Sequence, residues 1–167
     1  MKSMNIAVLM SSKSDRWSTP REFLSGLRKT FGDFELDPAA TPSTTVAANF
    51  YTRKTDGLAS EWFGRVFVNP PYGRPIRLWS AKVIAELDRG QVKSIVFLCP
   101  ARTDATWWRN LFARATTVYF VRGRLSFGGI RRSGTATFPS SVFYLRPGRP
   151  DRKRVGYIGR DGLPCQP

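Results

Sequence analysis

Residues 66–73, Val-Phe-Val-Asn-Pro-Pro-Tyr-Gly, constrain the fold more than any other stretch of the chain. Val66, Phe67 and Val68 form an unbroken β-branched and aromatic run, the pattern of a buried strand. Pro70 and Pro71 stop it, because neither has an N–H to give to a sheet, and Gly73 frees the chain to turn. An amide side chain (Asn69), a rigid carbonyl (Pro70) and an aromatic ring (Tyr72) are therefore expected together at the C-terminal end of a strand. In open α/β sheets ligands bind beyond that edge, so the stretch predicts a site for a planar substrate bearing an amine. The alternative is a plain turn, since Asn-Pro and Pro-Tyr-Gly also occur in ordinary loops.

The elements around it follow from periodicity. Thr19-Pro20-Arg21-Glu22 reads as a helix start, with Thr19 as cap, Pro20 in the first turn and Glu22 completing a capping box. Phe23, Leu24, Leu27 and Phe31 follow at helical spacing, and Gly32 ends the helix. A short strand over residues 34–36 ends at Asp37-Pro38, and another is expected near Phe50-Tyr51. A helix over 76–87 carries Ile76, Trp79, Val83, Ile84 and Leu87 on one side. A second strong strand spans 94–98, a helix 105–115 and a strand 117–121. Residues 124–127 and 141–145 read as a hairpin around a loop rich in Gly and Arg. Strand and helix patterns alternate, which argues for an α/β fold: a mainly parallel sheet with helices on both faces and a C-terminal antiparallel hairpin. The expected organisation is a lead-in (1–14), one domain (15–147) and a basic, loosely held tail (148–167).

Charge narrows the partner. Lys and Arg outnumber Asp and Glu by 27 to 12, a net +15 that points to a polyanion. There is no histidine, and Cys99 and Cys165 have no metal-ligand spacing. His-based acid–base catalysis, Ser/His/Asp and Cys/His mechanisms and the common zinc sites are thereby excluded, and no metal is expected. No apolar run approaches the ~20 residues of a membrane span. The expectation is a soluble protein of the cytoplasm, acting as a monomer or weak dimer.

Chemistry without histidine suits the 69–72 stretch. An amine conjugated to a heteroaromatic ring is a poor nucleophile, because its lone pair is delocalised. The Asn69 oxygen and the Pro70 carbonyl can each accept one N–H while Tyr72 stacks on the ring, drawing the nitrogen toward tetrahedral geometry. Positioning of this kind can supply ~7–11 kcal/mol of a barrier without a titrating group.

At these residues the sequence resembles amino-group methyltransferases that use S-adenosylmethionine, and more closely the phage-encoded DNA adenine methyltransferase family (Dam-type). The resemblance runs through Trp17-Ser18-Thr19-Pro20, Phe34 to Ala40 (Phe-Glu-Leu-Asp-Pro-Ala-Ala), Asp56-Gly57-Leu58, and Asn69 to Gly73. It continues through Pro100 to Asp104, Trp107-Trp108, Arg124 to Phe127 and Phe138-Pro139-Ser140. It implies a Rossmann-like class I methyltransferase fold in a bacterial or phage-infected cell, and methyl transfer to the N6 amine of adenine in DNA. Asn69, Pro70, Pro71 and Tyr72 would be catalytic. Trp17, Thr19, Pro20, Asp37, Pro38, Ala39, Asp56 and Asn69 would line the S-adenosylmethionine site, with the Asp37 carboxylate pairing with the cofactor's amino group. Thr19 and Pro20 equally explain themselves as a helix start, and Asp56 as a cap before Leu58. The chain lacks a Gly-x-Gly loop after Asp37-Pro38.

A base inside a duplex must be flipped out or met as a single strand. Arg122, Arg124, Arg131 and Arg132 on the expected hairpin, with Arg74 and Arg102 at the pocket edge, are the candidate nucleic-acid contacts. Trp107 and Trp108 could sit beside the base, although adjacent helical residues do not face one pocket and core packing explains them as well. No stretch is long enough for a separate recognition domain, which predicts a short or relaxed target sequence. The alternatives are another planar amine (cytosine, adenine in RNA, protein glutamine) or a nucleic-acid-binding protein on a decayed methyltransferase fold.

Overall fold

The computed structural model describes residues 18–128, 135–148, 150–152 and 154–167. The lead-in with Trp17, and the loop holding Arg131 and Arg132, lie outside the described residues. The chain runs α1 (Arg21–Phe31), β1 (Leu36–Asp37), β2 (Asn49–Phe50), β3 (Gly64–Val68), α2 (Ile76–Arg89), β4 (Val92–Pro100) and α3 (Thr106–Arg114), then β5 (Thr117–Val121), β6 (Ser140–Leu145), β7 (Arg154–Ile158) and β8 (Pro164–Cys165). One eight-stranded sheet has the order β2-β1-β3-β4-β6-β5-β7-β8.

Strands β3 and β4 are central because both of their faces are apolar. Val66 and Val68 of β3, with Ile95 and Phe97 of β4, turn to one side and pack with Trp79, Val83 and Leu87 of α2 and Trp108 and Leu111 of α3. Phe67, Val96 and Leu98 turn to the other and pack with Phe23, Leu24 and Leu27 of α1. The period of two in the strands thus meets a helix layer on each face, as expected. Full burial of side chains such as Phe23 and Leu27 (both 0% exposed) stabilises the fold by roughly 1.5–3 kcal/mol each.

Three expectations need correction. Residues 141–145 do not pair with 124–127 in a hairpin: β6 inserts between β4 and β5, antiparallel to both. Its near-complete burial explains the choice, since an edge position would have exposed it. The sheet is therefore mixed, parallel across β2-β1-β3-β4 and between β5 and β7, and antiparallel at β6 and β8. Second, the end of the chain is not loosely held at β7 and β8. β7 pairs with β5 along its whole length and buries Ile158 completely. The β7–β8 turn meets α1 backbone to backbone: a Cβ on Gly26 would strike the Asp161 carbonyl oxygen, and one on Gly162 the Phe23 carbonyl oxygen. Third, α1 begins at Arg21 and carries no side-chain cap.

Candidate active site

The Pro-Pro pair ends β3 as its chemistry requires: the β3–β4 register stops at Val68↔Phe97, and Gly73 (φ +89°) turns the chain toward α2. Asn69 is left half-buried just past the strand. Its side-chain amide is held at both ends. Nδ2 donates to Thr19 Oγ1 at 3.2 Å, and Oδ1 accepts from the Tyr72 hydroxyl at 2.8 Å. Thr19 therefore serves Asn69, fifty residues away, where the sequence suggested a helix cap. The Tyr72 ring lies at 81° to both Phe127 and Phe138, with centroids 6.1 and 5.5 Å away. Burial raises the Tyr72 hydroxyl well above the usual phenol range, and neighbouring Cys99 adds to the shift, so the hydroxyl stays a donor.

Asp37 ends β1, the strand beside β3, in parallel register (Leu36↔Val66). Asp37 and Asn69 thus share one edge of the sheet. Asp37 is buried at 5% exposure. Its Oδ1 accepts the Ala39 N–H and its Oδ2 the Val46 N–H, each at 3.2 Å, and no cation pairs with it among the described residues. Burial raises its carboxyl from 3.8 to about 7, against the lowering effect of those two amides. The loop after it is built by threonines in place of glycines. Thr44 Oγ1 takes the Thr41 N–H at 3.0 Å, and Arg28 of α1 donates to the Val46 carbonyl at 2.6 Å.

Pro38 is buried and Ala39 half-buried beside Asp37. The Asp56–Leu58 turn is brought against them, since a Cβ on Gly57 would strike the Pro38 carbonyl oxygen. Trp62 anchors that turn by donating Nε1–H to the Gly57 carbonyl at 2.7 Å. Asp56 itself sits at φ +45° with its Oδ1 accepting the Leu58 N–H at 3.0 Å, so in this structure its carboxylate shapes the turn. Pro20 lies next to Thr19 at the start of α1.

Arg74, Arg102, Arg122 and Arg124 are all exposed. Arg122 donates to the Gln166 carbonyl at 3.2 Å, and Arg124 lines an open cavity of about 570 Å³ with Pro20, Glu22, Ser126, Arg160 and Asp161. Arg160 is a candidate that sequence reasoning missed. Its side chain lies over Gly123, the residue between Arg122 and Arg124, 3.4 Å from where a Cβ would stand. The available signal was the strand-like Val155-Gly-Tyr157-Ile158 run before a Gly-bounded turn, hidden in a tail of Pro, Gly and Arg. The two tryptophans divide as helix geometry demands. Trp108 is core and donates to Ser141 Oγ at 3.0 Å, whereas Trp107 is half-buried. Among the described residues no cluster of His, Cys, Asp or Glu could hold a metal, and no helix is long and apolar enough to cross a membrane.

A mixed sheet flanked by helices, with polar residues gathered at the ends of adjacent parallel strands, is a methyltransferase-like α/β architecture. One solved chain, from a study of complex assembly and conformational transition in a type I R-M system, shares this fold. The TM-score is 0.56 at 14% identity, over 94% of this chain and 49% of that one. Residues 7–163 match the family described as DNA N-6-adenine-methyltransferase (Dam), and the chain belongs to that family. It is 31% identical over 115 residues to the DNA N-6-adenine-methyltransferase of Escherichia phage T1, covering 67% of this chain and 47% of that protein. It is 28% identical over 123 residues to the enzyme of the same name from Haemophilus phage HP1, covering 70% and 68%. The chain thus spans about half the length of the phage T1 relative.

Proposed function

We propose that the protein transfers a methyl group from S-adenosylmethionine to the N6 amine of adenine in DNA, on a Rossmann-like class I methyltransferase sheet. The observation that carries this reading is the Asn69 amide, held at both ends beyond β3, on the same edge as the buried carboxyl of Asp37, with which no cation pairs among the described residues.

The residues fit the cofactor. A buried carboxyl without a cation is poorly solvated when ionised, and the ammonium of an amino acid is the group that would relieve it. Pro20, Pro38, Ala39 and the Asp56 turn, with Trp17, would complete that site, while the Thr19 hydroxyl is engaged by the Asn69 amide. When bound, S-adenosylmethionine supplies an electrophilic methyl group on a sulfonium. Asn69 Oδ1, which also accepts from Tyr72, and the Pro70 carbonyl would accept the two N6 hydrogens. These acceptors would localise the nitrogen lone pair and aim it at the methyl group, and the surplus proton would leave to solvent. Pro71 holds the turn rigid. Nothing in this sequence of events needs histidine.

The net +15 and the exposed Arg74, Arg102, Arg122 and Arg124 support DNA as the substrate, with the adenine flipped from its stack. The short path from Asp37 to Asn69 favours a short or relaxed target. The expected setting is the cytoplasm of a bacterial or phage-infected cell.

The test is to incubate random-sequence DNA with labelled S-adenosylmethionine and digest it to nucleosides. Label is expected in N6-methyladenine, and Asn69→Ala should abolish it while DNA binding persists. Label in cytosine, or turnover by the Asn69→Ala protein, would refute the assignment.

A further inference from the structure

We infer that Thr19 is a positioning residue for the transfer step, orienting the Asn69 amide through its hydroxyl. The inference rests on the functional reading above, in which Asn69 Oδ1 accepts a substrate N–H.

An asparagine amide can turn over by 180°, exchanging its oxygen for its NH2 with almost no change of shape. Only its hydrogen-bond partners decide which end faces the substrate. Two of its partners here are hydroxyls of unlike character. A phenol is the stronger donor and the weaker acceptor, and Tyr72 donates to Oδ1 at 2.8 Å. An aliphatic hydroxyl is the better acceptor, and Thr19 accepts from Nδ2 at 3.2 Å. The pairing matches each end of the amide to the hydroxyl that suits it. Turning the amide over would mismatch both.

Thr19 can do this because its own position is fixed. On one side Ser18 makes a two-way backbone bridge with Gly128, N–H to carbonyl at 3.3 and 3.1 Å. On the other, Pro20 leads into α1, which is anchored by the fully buried Phe23 and Leu27. The Thr19 hydroxyl, one residue before the Pro20 N-cap, is thus not spent on α1, which has no side-chain cap. Thr19 acts through Asn69 and need not touch the reacting atoms.

Two variants test this. Thr19→Val keeps the shape and removes the acceptor; Thr19→Ser keeps the acceptor. Thr19→Val should lower kcat about tenfold, the scale of one neutral hydrogen bond, with the dissociation constant of S-adenosylmethionine by calorimetry nearly unchanged. Thr19→Ser should recover most of the turnover. Unchanged kcat in Thr19→Val would overturn the inference, as would a weakened cofactor affinity with kcat intact, which would make Thr19 a cofactor contact. If Thr19→Val does not fold, Thr19→Ala is held to the same two readouts. A wild-type protein that transfers no methyl to adenine would overturn the functional reading on which the inference rests.

Discussion

Replacing Asp37 with asparagine separates what this carboxyl costs the fold from what it does for the cofactor. Burial raises its pKa from 3.8 to about 7. The folded state therefore binds a proton more tightly than the unfolded chain. The associated stability is fully present below the unfolded value and is lost as pH rises toward 7. A shift of about 3 units corresponds to about 4 kcal/mol lost by neutral pH. Asparagine does not titrate, but its NH2 faces one of the two backbone N–H groups that Asp37 now accepts, from Ala39 and Val46. That mismatch costs about 1–3 kcal/mol at every pH. Denaturant unfolding of both proteins should therefore show the variant gaining on wild type by about 2–3 kcal/mol from pH 5 to pH 7.5. Cofactor binding should move the other way. If an ammonium pairs with ionised Asp37, wild-type affinity near pH 6 is about tenfold, and near pH 5 about a hundredfold, below its plateau. Calorimetry up to about pH 7.5, where an α-amino group is still largely charged, reads this as proton release on binding. Asp37→Asn should bind weakly with no such dependence. Wild-type affinity that stays flat from pH 5 to 7.5, or an asparagine variant that binds like wild type, would refute the pairing.

Two further predictions test the frame and the DNA path. Gly→Ala in the middle of a helix ordinarily stabilises by up to ~1 kcal/mol, but at Gly26 the new methyl would strike the Asp161 carbonyl, so Gly26→Ala should destabilise by about 1–3 kcal/mol. Thermal unfolding decides the sign. A rise in Tm would mean the β7–β8 turn is not seated on α1. Arg124 and Arg160 line one cavity, and Arg160 lies over Gly123, the chain neighbour of the exposed Arg122. If each contacts a DNA phosphate, Arg124→Gln and Arg160→Gln should each reduce the slope of log K against log salt by about 1. Unchanged slopes in DNA titrations at several salt concentrations would exclude that face from the interface.

The Asn69–Gly73 stretch was legible because proline leaves no freedom: after Val-Phe-Val, Pro70 and Pro71 can only end the strand, and the C-terminal edge of the parallel strands follows. Helices α1, α2 and α3 were legible through spacing of their apolar residues. What the local pattern could not supply was the choice between partners far apart in the chain. β6 follows β5 after a long connection and could have paired with anything nearby. Burial of Ser140 to Leu145 on both faces decides for the slot between β4 and β5. Thr19 shows the same limit at one side chain. Beside Pro20 its hydroxyl has an obvious local use as a cap, and only the fold reveals the amide waiting fifty residues on. At the chain end, Pro, Gly and Arg outweighed a short alternating run, although Ile158 is fully buried.

The absence of histidine gives this edge of the sheet a particular division of labour. Tyr72 and Asp37 are both shifted upward by burial, with opposite consequences. For Tyr72 the shift moves titration away from neutrality, so the hydroxyl remains a donor to Asn69 throughout the working range and the acceptor geometry there is independent of pH. For Asp37 the shift brings titration to about 7, into that range. On the proposed reading the group that changes charge is the one that would meet the cofactor, while the group beside the substrate amine does not titrate. Such a site would carry its pH sensitivity in cofactor affinity and leave the transfer step to alignment. This is why the Asp37 titration and the Thr19 substitution probe separable halves of one mechanism: the first should alter Kd with pH, the second kcat at constant Kd.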